Sequence, residues 1–370
     1  MAQTNLFFDV TIIGAGPAGS TTALLLAREG FAVGVIDKRS CFDDCIGEVI
    51  GPQWSGIAKS LGLSHIFARQ NHRVSPGTLF AWGSADLKSN DYIFNPQGMG
   101  WHLDRREFNS MLVDAAKDAG AEIIRAALVT SCQQNDGQWS LTVAHCGESL
   151  RIRSRFLIDA GGRASRWSAL DSRRFVYDRL VGVSMFCERK ADFPWTDCTL
   201  VEAIDQGWFY SVSIPGNKAV LVYMTDADLY AKGLRRSTDF FHEQLRKTVW
   251  TRKRMVAKAS RRTLYSAVSS VREKVAGKNW MTVGDASRSF DPLSSQGILN
   301  AVRSGIDAAN TILREPKDSS VSTGDYEDRN RRVFAEYLGT HRKFYGMEKR
   351  WPDSEFWTRR QCGFLSPLAA

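Results

Sequence analysis

The residues most suited to chemistry are six near the N-terminus that have the glycine spacing of a phosphate-binding turn: Gly14, Ala15, Gly16, Pro17, Ala18 and Gly19. An apolar run at 10–13 precedes them, and a run rich in alanine and leucine follows at 21–28, which predicts strand, turn and helix. Gly14 permits a sharp turn, Gly16 a close approach to a pyrophosphate, and Gly19 close packing of the helix on the sheet. The helix N-terminus then offers amide donors to the phosphates.

An acidic residue stands where an adenosine ribose would need it. A second apolar run at 31–36 ends at Asp37, whose carboxylate is placed to accept hydrogen bonds from the ribose. Lys38 and Arg39, which follow, are also predicted to bind the cofactor. Strand, glycine turn, helix, second strand and terminal acid together predict a dinucleotide-binding domain, in preference to an ordinary glycine-rich turn.

A second group of residues follows an apolar run at 280–283. Gly284 and Asp285 end this predicted strand, and Gly297 opens a helix that runs to 312. Asp285 can bond a ribityl hydroxyl of a flavin, and the helix dipole can face the flavin pyrimidine ring, where negative charge accumulates on reduction. Dehydrogenases that bind only a nicotinamide lack this second half-site, so we predict that the cofactor is FAD.

These residues require a nucleotide-binding sheet to which the chain returns more than once, so we predict an α/β fold. It comprises a Rossmann-like FAD-binding domain, an interleaved antiparallel β-sheet substrate domain and C-terminal helices. The predicted bounds are 1–75, 100–170 and 275–315 for the FAD-binding domain, 76–99 and 171–274 for the substrate domain, and 316–370 for the C-terminal helices.

The substrate domain is predicted from alternating runs at 78–82, 91–94, 180–187, 199–203, 208–214 and 219–225. One face of such a sheet can pack on a core while the other stays free to form the wall of a substrate pocket. A helix at 237–247 is expected to cover the sheet's edge. The arginine- and aromatic-rich tail at 326–360 is expected to be a structural cover, with a docking surface for a partner protein as the alternative.

The composition narrows the class of protein. At 370 residues, 43% apolar and 24% charged, the chain is an ordinary globular protein. No apolar run approaches the roughly 20 residues that span a bilayer, and no signal peptide is evident, so we expect a cytoplasmic protein without membrane contact. Seven irregularly spaced cysteines are expected to be reduced, and the close pair Cys41 and Cys45 makes a poor metal site, so no metal is predicted. The net charge of +9 favours acidic partners, but no nucleic-acid recognition motif accompanies it.

Several stretches resemble the FAD-dependent monooxygenase superfamily built on the p-hydroxybenzoate hydroxylase fold, whose relatives include geranylgeranyl reductases and tryptophan halogenases. They are the glycine run, Asp104-Arg105 with Phe108, the segment 159–165, and Gly284-Asp285 with Asp291-Pro292. Narrower features resemble the LodB-like and GoxB-like flavoproteins that mature tryptophylquinone enzymes; these are 207–211, 224–229, 291–298, 348–352 and Phe356-Trp357.

The resemblance implies an activity. Reduced FAD would activate O2 and oxygenate a tryptophan side chain within a precursor protein, a quinoprotein oxidase. NAD(P)H or a separate flavin reductase would supply the electrons. The resemblance also implies roles for residues beyond the pyrophosphate and ribose sites: Arg105 at the phosphate or adenosine side, Val129 at the adenine through its backbone, Asp285 at the ribityl chain, and Gly297 and Ile298 at the flavin ring. Pro292 is expected to bind the cofactor from the loop at 291–296, called the flavin loop below.

Glu48 is the candidate catalytic residue. Gly47 before it permits close approach to the isoalloxazine, and a carboxylate there could accept a proton from the indole. The alternative is that Glu48 only caps or forms a salt bridge. Trp82 and Tyr210 are candidate substrate residues, although core packing explains them nearly as well.

Other functions stay open at this point. A hydroxylase or halogenase-like oxidase of a free aromatic or peptide is one, although the halogenase Trp-x-Trp-x-Ile-Pro signature is missing and no lysine lies between Lys59 and Lys88. A flavin-dependent double-bond reductase and a non-catalytic flavoprotein chaperone are two more. The substrate, the electron source, the FAD affinity and the oligomeric state are not fixed by the sequence.

Overall fold

The computed structural model describes residues 5–42, 45–167, 172–189, 196–254, 262–315, 321–362 and 367. Its strands are β1 (Asn5–Ile13), β2 (Val33–Ile36), β3 (Val49–Ile50), β4 (Arg73–Ser75), β5 (Gly77–Ala81), β6 (Lys88–Asp91), β7 (Gly100–His102), β8 (Glu122–Ile124), β9 (Ala127–Asn135), β10 (Gln138–His145), β11 (Glu148–Asp159), β12 (Arg174–Val176), β13 (Leu180–Glu188), β14 (Thr199–Ile204), β15 (Gly207–Ile214), β16 (Lys218–Asp226), β17 (Thr263–Ser266), β18 (Ser270–Arg272), β19 (Ala276–Gly277), β20 (Trp280–Thr282) and β21 (Arg288–Ser289). Its helices are α1 (Pro17–Arg28), α2 (Trp54–Ser60), α3 (Ser64–Phe67), α4 (Arg105–Asp118), α5 (Ala227–Arg236), α6 (Phe240–Arg246), α7 (Gly297–Leu313), α8 (Gly324–Met347) and α9 (Glu355–Cys362).

The nucleotide-binding half is built on an eight-stranded sheet. Its main path runs β19-β20-β11-β1-β2-β8, and β10 and β9 extend it from β11. The neighbours β20, β11, β1, β2 and β8 are parallel, and all four residues of β2 are buried, as expected for a parallel strand covered on both faces. Helices α1, α4 and α7 pack together over one face. This arrangement brings the carboxyl ends of β1 and β11 beside the N-terminus of α1.

The second half is a seven-stranded sheet in the order β17-β13-β16-β15-β14-β5-β6. Its pairs are antiparallel except β14 with β5. The outer strand differs from the prediction at 91–94, because pairing with β5 uses Lys88–Asp91 and the chain then turns. Asn95 donates its amide to the Tyr92 carbonyl, and the Asn-Pro pair at 95–96 favours that turn. Ile93 and Phe94 are consequently exposed.

The expectation of a free face on this sheet is wrong, because all eight residues of β15 are buried. One face packs against Phe240, Phe241 and Leu245 of α6, so this helix covers a face of the sheet and not its edge. On the other face lie aromatic side chains of α8 and α9, among them Tyr345 and Trp357. Among the described residues, no helix is both long and apolar enough to cross a bilayer.

Candidate active site

The glycine turn joins β1 to α1 in the way its spacing predicts. Gly14 has a φ of +107°, and a Cβ there would lie 2.5 Å from the Ala160 carbonyl oxygen at the end of β11. A Cβ on Gly19 would lie 2.0 Å from the Gly14 carbonyl oxygen, so neither position accepts a side chain without a backbone shift. A Cβ on Gly16 would meet nothing within 4 Å. The turn therefore presents its middle glycine to open space.

The first turn of α1 has the donors that a phosphate requires. Gly16 is the N-cap and Pro17 begins the helix, and none of the described side chains caps this end. The first amides of a helix have no partner within the helix, and together with its dipole they favour an anion. Ala18 and Gly19 lie in this first turn and are buried. The residues present thus fit the pyrophosphate of a dinucleotide.

Asp37, at the end of β2, is hydrogen-bonded to the glycine turn. Its carboxylate accepts the Ala15 amide at 2.7 Å, the Arg39 amide at 2.8 Å, and two guanidinium bonds from Arg39 at 3.0 and 2.8 Å. Burial would raise the pKa of Asp37, but these bonds and the charge of Arg39 lower it below its ordinary value. A carboxylate has about four acceptor sites, so a ribose hydroxyl would have to replace a contact of Arg39. Lys38 beside them is exposed.

Arg105, at the start of α4, holds the loop that precedes Glu48. Its Nη1 donates to the carbonyls of Ile46 at 2.8 Å and Gly47 at 2.7 Å. Gly47 has a φ of +91°, and a Cβ on it would lie 2.8 Å from that same nitrogen. The helix itself is capped by Asp104, which accepts two amides of the first turn. Arg105 in this structure therefore positions the loop, in addition to any role at the cofactor.

Val129 lies in β9, away from the glycine turn in sequence. Its side chain is buried in the core on the second face of the nucleotide-binding sheet. Its neighbour across the ladder is Val143, at a point where the register shifts between Thr142 and Val143. A contact to adenine from here would use the backbone beside this irregularity.

Asp285 lies where β20 ends, in a short turn with Gly284, whose φ is +59°. The carboxylate is half-buried and forms an ion pair with Arg163 at 3.1 Å. Arg163 also donates to the carbonyls of Val268 and Phe290 at 2.8 and 2.9 Å. The ion pair fixes Asp285 while leaving one side of it accessible, which is compatible with a bond to a ribityl hydroxyl.

Hydrogen bonds to Asp291 hold the flavin loop in place. This carboxylate is buried and accepts the Tyr345 hydroxyl at 2.7 Å, the Leu293 amide at 2.8 Å and a contact from His341 at 3.2 Å. Pro292 begins the short helical turn Pro292–Ser294 that follows. These contacts tie the loop to α8.

Helix α7 begins at this loop with a second uncapped N-terminus. Within the part of the chain that the structure describes, no side chain caps its first turn and a Cβ on Gly297 would meet nothing within 4 Å. The Ile298 side chain is packed in the core. Gly284 and Ala18 lie close, because a Cβ on Gly284 would be 3.0 Å from the Ala18 Cβ. The two helix ends and the turn at 284–286 are therefore neighbours, and they fit the two halves of FAD.

Glu48 lies at the junction of the two sheets. Val49 after it packs against the same aromatic cluster as Leu293 of the flavin loop, and a Cβ on Gly51 would be 3.7 Å from Leu299 in the first turn of α7. The carboxylate is 2% exposed, and neither oxygen has a hydrogen-bond partner among the described residues. Burial raises the pKa of Glu48 to about 7, against the opposing effects of neighbouring amides, Arg105 and Tyr210.

The two predicted substrate residues have different surroundings. Tyr210 lies in β15 beside Glu48, and burial first, then the Glu48 carboxylate and Tyr265, raise the pKa of its hydroxyl well above the ordinary value. Trp82 donates its Nε1 to the Phe344 carbonyl at 2.8 Å and packs edge-on against Trp357 at 5.2 Å. Trp82 and Tyr210 belong to the same packed aromatic cluster.

Sequence reasoning gave no site role to Tyr265, to the tyrosines of α8 that hold the flavin loop, or to Arg163, although Arg163 lies in the segment 159–165. The role of each comes from a contact with a residue more than 40 positions away. A cleft of about 910 Å³ between β18, β20 and α8 is lined by Tyr177, Trp280 and Phe334 among others, and by none of the predicted site residues.

Comparison with known proteins gives the family. A family model described as an FAD binding domain matches residues 8–335. LodB of Marinomonas mediterranea, named as an FAD-dependent oxidoreductase, is 28% identical over 364 residues, which are 96% of this chain and 97% of LodB. The flavin-dependent halogenase CmlS has 26% identity and a TM-score of 0.83 over 98% of this chain and 68% of CmlS.

A further solved structure is the peptidyl tryptophan dihydroxylase QhpG, which is essential for tryptophylquinone cofactor biogenesis. It is 22% identical, with a TM-score of 0.73 over all of this chain and 81% of QhpG, and at that identity it shows the shared fold. The predicted α/β fold class and the resemblance drawn from the sequence are confirmed. The chain belongs to the FAD-binding-domain family and is an FAD-dependent oxidoreductase.

Proposed function

We propose that this chain is an FAD-dependent monooxygenase that hydroxylates a tryptophan side chain of a precursor protein during tryptophylquinone formation. The observation that carries the proposal is the buried Glu48 carboxylate without a hydrogen-bond partner among the described residues, beside the loop and helix that suit a flavin ring. The similarity to LodB over nearly the whole of both chains and the peptidyl-tryptophan substrate of QhpG support the same substrate class.

The chain's own residues have the following roles in this proposal. The first turn of α1 binds the pyrophosphate, Asp285 the ribityl chain, and the amides of Gly297 and Ile298 the flavin ring. When bound, FAD supplies the redox chemistry that activates O2. One oxygen atom enters the indole and the other leaves as water, with two electrons from NAD(P)H or a flavin reductase.

Glu48 is the base in this account. Its carboxylate accepts the proton that the indole loses, so the indole N–H bond breaks and a carboxyl O–H bond forms. A pKa near 7 suits this task, because a base titrating close to the working pH is both available and strong enough. The packed aromatic cluster around Tyr210 keeps water away from the exchange.

Co-expression with a quinoprotein precursor, followed by intact mass of the precursor, tests the proposal. We expect wild type to add the mass of one or more oxygen atoms to a tryptophan. Glu48→Gln should lower this yield at least about tenfold while FAD stays bound, as expected when a positioned base is lost. Glu122→Gln, at an exposed position on β8, is the matched control and should behave as wild type.

Two outcomes would count against the proposal. Equal yields of modified precursor from wild type and Glu48→Gln would show that Glu48 is not the base. An unmodified precursor, with free tryptophan oxidised or halogenated by the same preparation, would favour an activity on a free aromatic compound instead.

A further inference from the structure

The hydroxyl of Tyr265 is buried, and no step of the proposed reaction uses it. Tyr265 lies in β17, the edge strand beside β13, and its hydroxyl oxygen is buried without a hydrogen-bond partner among the described residues. Buried hydroxyls are normally hydrogen-bonded, so this one calls for a physical reason.

Gly182 makes the room that Tyr265 occupies. The two residues are paired across β13 and β17, and a Cβ on Gly182 would lie 2.2 Å from the Tyr265 Cζ and 2.4 Å from its hydroxyl oxygen. The phenol ring therefore lies flat across β13 toward β16. Any other residue at 182 would push the ring away from the sheet.

The direction of the ring leads to Tyr210. Gly182 pairs with Met224, and Met224 pairs with Trp208, so Tyr265 and Trp208 belong to one row across the sheet. Tyr210 is two residues beyond Trp208 on the same face, with ring centroids 6.2 Å apart. Tyr210 and Tyr265 contribute to the same cluster of packed side chains, and Val49, next to Glu48, packs against it.

We propose that Tyr265 is a positioning residue that acts on Glu48 through Tyr210, with Gly182 as the residue that permits the contact. Neither bond is formed among the described residues as they stand. Once Glu48 is ionised, small shifts of these side chains let Tyr210 donate to the carboxylate and Tyr265 donate to the Tyr210 oxygen. The hydrogen-bond chain then holds the carboxylate and stabilises its charged form. The inference rests on the proposed role of Glu48 and adds two residues to that site.

Charged and polar groups of several elements act on Glu48, Tyr210 and Tyr265. Arg105 and the amides of Gly47 and Glu48 face the carboxylate, while Arg163 and Asp291 act on Tyr265 from the opposite end. Burial raises the pKa of Tyr210 and Tyr265 far above neutral, so both hydroxyls keep their protons and can donate. Glu48 is then the group of the three that titrates near pH 7.

The test is a pH titration of the FAD-loaded protein followed by infrared spectroscopy, which needs no substrate. The carbonyl band of a protonated carboxyl that disappears in Glu48→Gln belongs to Glu48, and its midpoint in wild type is expected near pH 7. Tyr265→Phe removes the terminal donor and should raise the midpoint by roughly 0.5 to 1 unit, as a lost hydrogen bond of about 1 kcal/mol requires. Gly182→Ala keeps the hydroxyl but displaces the ring, and should raise it similarly.

Tyr230→Phe is the control, since Tyr230 is a buried tyrosine packed on the opposite face of the sheet. An unchanged midpoint in both Tyr265→Phe and Gly182→Ala, with flavin absorption intact, would overturn this inference alone. Absence of any Glu48 band would overturn the proposed base instead. A variant that loses its flavin is replaced by Tyr210→Phe, which must raise the midpoint if the chain exists.

Discussion

Three carboxylates in the candidate active site are buried to the same degree but differ in their partners. Asp37 accepts four donors and Asp291 accepts three, counting the contact with His341. Neither oxygen of Glu48 has a partner among the described residues. Structural carboxylates are normally satisfied, so the exception marks the group with a task other than holding the fold.

The pH dependence of stability should reveal this group. Glu48 has an ordinary pKa of 4.5 when unfolded and a native pKa of about 7, so the native state binds the extra proton between these values. Its contribution to stability is present below pH 4.5 and is lost as the pH rises to just above 7, on the order of 3 kcal/mol in total. Denaturant unfolding of wild type and Glu48→Gln at pH 4.5 and pH 8 measures it.

We expect Glu48→Gln to gain stability relative to wild type as the pH rises across that interval. Glu122→Gln should follow wild type, because its side chain is exposed. Parallel pH curves for wild type and Glu48→Gln would show that Glu48 is ionised throughout.

The residue-scale predictions succeeded where one residue type has one physical use. The conformation of Gly14 follows from its position in a sharp turn. The hydrogen bonds from Arg39 to Asp37 were not predicted, because they depend on the conformation of a side chain two residues away. Tyr265 could not be predicted from its local sequence for a similar reason, because its ring position depends on Gly182, on another strand.

At the scale of elements, the last helix is tied to the substrate sheet by buried charge. Arg360 of α9 donates to Asp226 at the end of β16 at 2.7 Å, and both side chains are almost fully buried. Arg359 adds a second bond to Asp226 at 2.8 Å, and the Arg360 guanidinium lies 3.7 Å from the Phe356 ring centroid. The Arg360–Asp226 ion pair determines where α9 packs. It thereby also positions the aromatic side chains that α9 contributes to the cluster.

Breaking this pair should loosen α9. Asp226→Asn leaves a buried guanidinium with a weakened partner, so we expect a loss of about 3 kcal/mol or more in the free energy of unfolding. Asp328→Asn, in an exposed pair with Arg331 at 3.8 Å, should cost less than about 1 kcal/mol. Urea unfolding compares the two, and equal small losses would show that α9 is held by its aromatic contacts alone.

Element positions were predictable where hydrophobic periodicity and turn residues agree. Strands β15 and β16 and helix α7 lie within a residue or so of their predicted bounds. Helix α6 was expected at the sheet's edge, because an amphipathic pattern shows which side is buried but not what buries it. The outer strand was misplaced because the apolar pair Ile93 and Phe94 is exposed in a turn.

At the scale of the whole molecule, Glu48 lies where helix α7 of the nucleotide-binding half approaches the aromatic cluster on the seven-stranded sheet. The loop after Gly47 touches α7, and the same packed cluster includes residues next to Glu48 and from the flavin loop. A protein substrate would need its tryptophan brought to this position.

The most direct test of this account is the origin of the oxygen. Wild-type protein, a quinoprotein precursor and a flavin-reducing system are incubated under ¹⁸O2, and peptides of the precursor are analysed by mass spectrometry. The account predicts ¹⁸O on a tryptophan side chain, and no label there when ¹⁸O is supplied as water. Label that enters the tryptophan from water, or oxidation of the flavin without any change in the precursor, would contradict it.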